Sequence, residues 1–299
     1  MNKFLKIISV NLIIFVFLIA AAEFSACKIY SCPFFRWKMV LLHSISADEY
    51  FTHLYSGINV ENSVHNAFRK DIITKSRKKP SLFTGWSFTH GTGLEDQDTI
   101  SALFSKLTGR SVYNRAGRGF GLNQFLYQAH RGDIYKQMPE PEYIIYTFIY
   151  DHLHRMDKFK MAPDDIAFQP AYKIKNGSLI EIKPKFYNYL YSVNCYQYFH
   201  TYWLNKIDFK KVKLFFNETE REIHRHWKDS TLVILVFQDG AEDSSIWEEL
   251  KKENYTVIKT SELTDIDLNK EEYKSDGCHP SKEVWEILAP ELIKRLNIL

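Results

Sequence analysis

The sequence predicts a three-layer α/β/α sandwich with a five-stranded parallel sheet, preceded by an N-terminal membrane segment. Three observations carry that expectation. Short apolar runs rich in Val, Ile, Tyr and Phe recur at Leu82–Gly85, Val112–Ala116, Tyr143–Ile149, Leu232–Phe237 and Thr256–Lys259. Helix-like segments separate them, at Thr99–Leu107, Leu122–Gln137, several between residues 157 and 228, and Ser245–Glu253; strands alternating with helices give a parallel sheet covered on both faces. A closing helix, Lys282 to Leu296, sets Val284, Ile287, Leu288, Leu292 and Leu296 at i, i+3, i+4 spacing.

Composition narrows the class without choosing a function. A chain of 299 residues accommodates one large domain or two small ones. Apolar content of 45% and charged content of 25% are those of an ordinary globular protein. A net charge of +3, from 39 basic against 36 acidic residues, gives no reason to expect a nucleic-acid partner. Four cysteines (Cys27, Cys32, Cys195 and Cys278) make no disulfide framework for this length, although Cys27 and Cys32 could bridge in an oxidising compartment. No spacing resembles a zinc site, so no metal is expected.

Taken in order, residues 1–27 are a targeting or anchoring segment. Lys3 and Lys6 precede Ile7–Ala22, which is apolar apart from Ser9 and Asn11. The run exceeds the usual ~7–15-residue signal core and falls a little short of the ~20 residues of a spanning helix. Extending it through Phe24 while Lys6 snorkels closes most of the gap, so residues 7–24 are read as a membrane contact. The favoured outcome is an uncleaved anchor with its amino terminus in the cytoplasm and the rest of the chain outside it. Cleavage after Ala20-Ala21-Ala22, giving a secreted or periplasmic protein, is the alternative; lipidation at Cys27 suits Glu23 and Phe24 poorly. Residues 28–80 read as a connector that ends in the basic run Lys75-Ser76-Arg77-Lys78-Lys79-Pro80.

The regular domain, 81–299, carries an insertion at about 157–228 between its third and fourth strands, too long for a simple crossover. Within it, Tyr172 to Ile182 alternates about Asn176-Gly177, a strong hairpin signal. Helix-like stretches follow at Phe186–Ile207 and Lys211–Trp227, and the insertion is expected to form a lid or wall beside the sheet's carboxyl edge.

Three separated pieces fit one reaction. Leu82-Phe83-Thr84 ends at Gly85, Ser87 follows, and a helical segment comes next; strand, tight turn, serine, helix lifts a hydroxyl to the carboxyl edge of a sheet. Ser87 is the candidate nucleophile. His279 is the candidate base, and Asp276 would hold the imidazole in the right tautomer and stabilise its cation. The Asp-x-x-His spacing lets one loop or first helical turn present both groups, and Pro280 suits the first turn of the closing helix. His90 is near Ser87 in sequence, but from a helix start it points elsewhere.

With these residues in place the sequence resembles the SGNH hydrolases, also called GDSL esterases. Gly85-Trp86-Ser87-Phe88-Thr89-His90-Gly91 looks like their first block, usually Gly-Asp-Ser-x-Thr-x-Gly, and Asp276-Gly277-Cys278-His279-Pro280 matches the last. Tyr113 to Gly121 looks like the second block and would place Gly119 at the oxyanion glycine. The resemblance covers residues 81–299 and implies a flavodoxin-like sheet, no metal or organic cofactor, and hydrolysis or transfer of an acyl ester. Two blocks depart from the pattern. Trp86 replaces the first-block aspartate, and the third block, normally Gly-x-Asn-Asp, reads Phe148-Ile149-Tyr150-Asp151-His152. The expected oxyanion donors are therefore the backbone N–H groups of Ser87 and Gly119 and a third group from Tyr150 or His152. If the third strand runs on, alternation puts 150 and 152 on one side, with the shorter His152 preferred over Tyr150; a loop histidine in water is the plain alternative.

Weaker candidates are the His152-x-His154 pair, for which no third metal ligand is at a convincing spacing, and Arg115, Arg118 and Arg155, which suit either an anionic substrate or a solvated surface. The leading expectation is a serine esterase acting on O-acyl groups, foremost O-acetyl, of a carbohydrate, lipid or small molecule. An O-acyltransferase using the same acyl-enzyme, and a non-catalytic binding protein on the same fold, are the alternatives.

Overall fold

A computed structural model describes residues 68–117, 120–156, 170–182 and 209–298, with Leu18 and Ala21 in addition. The rest of the apolar N-terminal run, the connector up to residue 67 and the predicted helix Phe186–Ile207 lie outside the described residues. Among the described residues no helix is long and apolar enough to cross a membrane.

Five parallel strands form the central sheet: β1 (Ser81–Gly85), β2 (Val112–Asn114), β3 (Tyr143–Phe148), then, beyond a separate hairpin of β4 (Ala171–Lys175) and β5 (Ser178–Ile182), β6 (Thr231–Val236) and β7 (Thr256–Lys259). Their order is β2-β1-β3-β6-β7, every neighbouring pair parallel. The expected five-stranded parallel sheet is thus present, and each predicted strand matches to within two residues at either end. The first crossing back over β1 makes β1 and β3 neighbours, so the loops after β1, β2, β3 and β6 share one carboxyl edge.

Alternating residues of each strand feed two cores. Leu82, Ile144, Tyr146, Phe148, Ile234 and Val236 face α3 (Leu122–Arg131), α6 (Phe209–His226) and α7 (Ile246–Lys252). Phe83, Ile145, Val233, Leu235 and Ile258 face α2 (Ile100–Thr108) and α8 (Lys282–Arg295), the closing helix. Two-sided burial is why the strands read as continuous apolar runs rather than strict alternations.

Turn chemistry sets the boundaries. Thr99 caps α2 by accepting from Ala102 N, and Gly109 (φ 71) ends it. The predicted single helix Leu122–Gln137 is broken by Gly132 (φ 70) into α3 and α4 (Asp133–Gln137). Asn176 and Gly177 both have positive φ (53 and 76), the pattern of a two-residue hairpin turn, and β4 pairs antiparallel with β5 about them.

Residues 68–80, the end of the connector, lie against the domain rather than apart from it. Ile72 pairs with Val112 through backbone hydrogen bonds of 2.9 and 2.8 Å, and Arg115 holds Asp71 with both guanidinium ends at 2.5 and 2.9 Å.

Candidate active site

Ser87 opens a single helical turn, α1 (Ser87–His90), immediately after β1. Gly85 makes the turn possible: its φ is 127°, and a Cβ there would lie 2.9 Å from the Thr147 carbonyl oxygen on β3. Trp86 is extended, Ser87 N-terminates the turn, and Gly91 (φ 78) closes it. The serine is 2% exposed and its Oγ makes no hydrogen bond among the described residues.

Asp276 and His279 sit on a loop closed by an antiparallel bridge between Lys274 and Pro280 and by Ser275 N–H donating to His279 O at 2.8 Å. Pro280 therefore belongs to the loop; α8 starts after Ser281, which corrects the expectation that Pro280 lies in the helix's first turn. His279 Nδ1 is 2.7 Å from Asp276 Oδ2 and 2.9 Å from Oδ1, while the backbone N–H groups of His279 and Cys278 donate to Oδ1 at 2.9 and 3.2 Å. Burial raises the Asp276 carboxyl, but these hydrogen bonds and the imidazole outweigh it and bring it down to about 2. An ionised Asp276 keeps the proton on Nδ1 and leaves Nε2 as the basic nitrogen.

Three contacts seat this loop on the segment that follows the serine. The His279 ring lies edge-on to Phe88, centroids 5.8 Å apart. A Cβ on Gly93 would sit 2.8 Å from Ser275 Oγ and 3.7 Å from Asp276 Oδ2. Lys282 Nζ pairs with Asp98 at 3.1 Å. The structure thus seats the Asp276–His279 loop on the segment that follows Ser87, from the opposite end of the domain sequence, with no hydrogen bond between Ser87 Oγ and His279.

Cys278 is an additional neighbour, its Sγ 3.2 Å from His279 Nδ1 and 3.4 Å from Asp276 Oδ1. Burial and the Asp276 carboxylate push its thiol up, away from the thiolate. Donor atoms of Asp276, Cys278 and His279 lie within 4.8 Å of one another, but Nδ1 and the carboxylate already face each other as a hydrogen-bonded pair.

The third block differs from the expected strand extension. β3 ends at Phe148, and α5 (Asp151–Arg155) begins at once, with Tyr150 already helical at φ −56, ψ −38. Tyr150 and His152 thus do not alternate along a strand. The helical turn swings His152 inward to 0% exposure, which removes the reading of a loop histidine in water. Its Nδ1 is 3.0 Å from the Tyr146 hydroxyl, and its ring packs against Phe148 and lies 6.1 Å from Trp86, the residue before the serine. Tyr150 instead gives its backbone N–H to Asp239 Oδ2 at 2.7 Å.

Gly119 and Arg118 lie outside the described residues, as do the side chains of His154 and Arg155. Gly117 donates its N–H to Gly85 O at 3.2 Å and ties the second block to the end of β1. Arg115 is buried under Phe68 and Tyr113 and paired with Asp71, so it serves the connector rather than a substrate.

Three residues at this edge escaped the sequence reading. Asn114 Nδ2 donates to Thr89 O at 2.9 Å, Arg69 binds the loop after α1, and Asp239 caps the turn after β6. Asp239 is raised to about 6 by burial and by the nearby Asp151, against the lowering bonds from Tyr150 and Ala241 N–H. Asn114 and Arg69 act on segments distant in sequence and so leave no local pattern; Asp239 reads as an ordinary turn aspartate, and only its bond from Tyr150 N–H is long-range.

No protein-family model and no curated protein matches this sequence. The architecture is similar to that of solved G-D-S-L lipolytic proteins. One from Desulfitobacterium hafniense DCB-2 is 12% identical with a TM-score of 0.45, over 74% of this chain and 100% of the other. A lipolytic protein of the same family from Veillonella parvula DSM 2008 is 10% identical with a TM-score of 0.43, over 74% and 99%. A family two carbohydrate esterase from Clostridium thermocellum, solved with cellohexaose, is 10% identical with a TM-score of 0.43, over 76% and 68%. These likenesses are weak, and the site stands on its own residues.

Proposed function

We propose that this chain is a serine esterase of the SGNH type that cleaves O-acyl esters through Ser87, His279 and Asp276. The observation that carries the reading is the Asp276–His279 pair at 2.7 Å, seated against the segment that begins with a buried serine at the sheet's carboxyl edge. In the proposed reaction Ser87 Oγ attacks the ester carbonyl carbon and its proton passes to His279 Nε2. The tetrahedral intermediate expels the alcohol, which takes that proton, and leaves the acyl group on Ser87. Water attacks the acyl-enzyme with His279 again as base, releasing the acid and restoring the serine. A sugar hydroxyl in place of water would make the same cycle a transfer.

The carbonyl oxygen becomes negative in both steps and needs preorganised donors. In this reading they are the backbone N–H groups of Ser87 and Gly119, with His152 as the third. A Tyr146 hydroxyl donating to Nδ1 leaves the proton of a neutral imidazole on Nε2, the form that donates to an oxyanion. Tyr150, whose backbone is drawn toward Asp239, is the lesser candidate. Residues 7–24 would anchor the enzyme with this domain outside the cytoplasm, where acylated carbohydrate is an accessible substrate.

A fluorophosphonate probe tests the reading directly. Covalent labelling of the wild type at Ser87, lost in Ser87→Ala, is expected; no labelling, or labelling that survives the substitution, rules the site out. Acetate release measured with and without a sugar acceptor then separates hydrolysis from transfer.

A further inference from the structure

The serine's turn is too short to hold itself. In α1 the carbonyls of Trp86 and Ser87 accept from His90 and Gly91 at 2.9 Å each, but those of Thr89, His90 and Gly91 end a helix of one turn and need partners from outside it. Asn114 takes Thr89 O. His90 O falls to a single side chain, which also shares Gly91 O with the Leu94 N–H at 3.0 Å. Arg69 Nε donates to His90 O at 2.9 Å, Nη2 to Gly91 O at 2.5 Å and to Leu94 O at 2.8 Å, and Nη1 to Asp96 at 2.6 Å.

We propose that Arg69 is a positioning residue for Ser87, holding the serine's turn and the loop behind it in the reactive geometry. This rests on the esterase reading above. The loop it grips runs from His90 to Asp96 and includes Gly93, against which Ser275 and Asp276 pack. One guanidinium therefore braces the stretch that touches both the nucleophile and the base-bearing loop. Its own position is fixed next door by the Asp71–Arg115 pair and the Ile72–Val112 backbone bonds, and it is 20% exposed. The planar fork matters: its donors diverge in one plane and reach three carbonyls at once, which a lysine ammonium on a single flexible stem does not reproduce. A consequence is that residues 68–72, which precede the sheet in sequence, set the geometry of the site.

The test uses the full-length protein and reads the rate of fluorophosphonate labelling, kcat and KM on a short-chain aryl ester, and the thermal midpoint. Arg69→Lys is expected to fold with a midpoint within a few degrees of wild type and to lose roughly 10–100-fold in labelling rate and kcat, the cost of a misplaced reacting group, with KM changed by less than about threefold. Arg69→Ala should lose at least as much, and added methylguanidinium should restore part of it. Asp96→Asn, which deletes the exposed carboxylate but spares the three carbonyl bonds, should stay within about twofold in kcat. Should Arg69→Ala fail to fold, Arg69→Lys decides. Labelling and kcat of Arg69→Lys within twofold of wild type, while Ser87 is labelled normally, overturns this proposal alone. A wild type that is never labelled at Ser87 overturns the site reading and this proposal with it.

Discussion

The two halves of the proposed triad are built in opposite ways. The Asp276–His279 loop is largely self-contained: its carboxylate accepts from its own backbone and its own histidine, and its ends are closed by the Lys274–Pro280 bridge. It is also largely exposed at Asp276 and Cys278. The Ser87 turn is buried and makes little of its own structure. Its strand neighbour β3 presses on Gly85, Asn114 from β2 and Arg69 from the connector hold its carbonyls, and Phe88 is wedged between His279 and Phe237. A base and its orienting carboxylate can come as one local unit. A nucleophile at a sheet edge has to be positioned by the whole edge.

The largest expected effects follow from that contrast. Ser87→Ala and His279→Ala should each lower kcat by on the order of 10⁴-fold or more, and Asp276→Asn by a similar or somewhat smaller factor. Because the dyad's hydrogen bonds are local and only the His279 ring reaches beyond the loop, to Phe88, Asp276→Asn should leave the thermal midpoint nearly unchanged and His279→Ala should lower it only slightly. A large drop in that midpoint for either would show that the loop is tied into the core.

His152→Ala tests whether the sheet edge supplies the third oxyanion donor. Loss of such a donor costs about 2.7–4 kcal/mol of barrier, or roughly 10²–10³ in kcat, with little change in KM. Tyr150→Phe should be silent. Activity retained in the first and lost in the second would move the role to Tyr150; full activity in both would leave a two-donor hole.

Asp239 is expected to make stability depend on pH. Its carboxyl rises from an ordinary 3.8 to about 6, so the folded state holds the proton more tightly and is most favoured where Asp239 is protonated. Its contribution is present at low pH and lost as pH rises from about 4 through 6, a change on the order of 3 kcal/mol if the whole shift is realised. Denaturant unfolding of wild type and Asp239→Asn at pH 4 and pH 7 measures it: the wild type should weaken relative to the variant as pH rises. The smallest effect belongs to Cys278→Ser. The loop is held through Asp276, so kcat should stay within about twofold, and a larger fall would give the thiol a part in orienting His279.

The sequence alone determined the parallel sheet, its two apolar faces, the Asn176-Gly177 hairpin and the Asp276–His279 spacing. Each is encoded over a few neighbouring residues, in apolar runs, positive-φ turn chemistry or an i, i+3 pair. Ser87 was legible as a strand–glycine–serine turn for the same reason. Tertiary structure decided the rest. His152 reads as part of an extended third strand, with a solvated loop as the alternative, because its burial depends on a helix starting at Asp151 and on Tyr146 beneath it. Arg69 reads as part of a solvated connector, since a guanidinium reveals its partners only when carbonyls from a later segment are brought beside it. Asp239 looks like a turn aspartate until Tyr150, from the helical turn after β3, arrives to donate to it. Local bonding leaves a pattern in sequence; bonding across the sheet's edge leaves none, because its partners are joined by the fold and not by the chain.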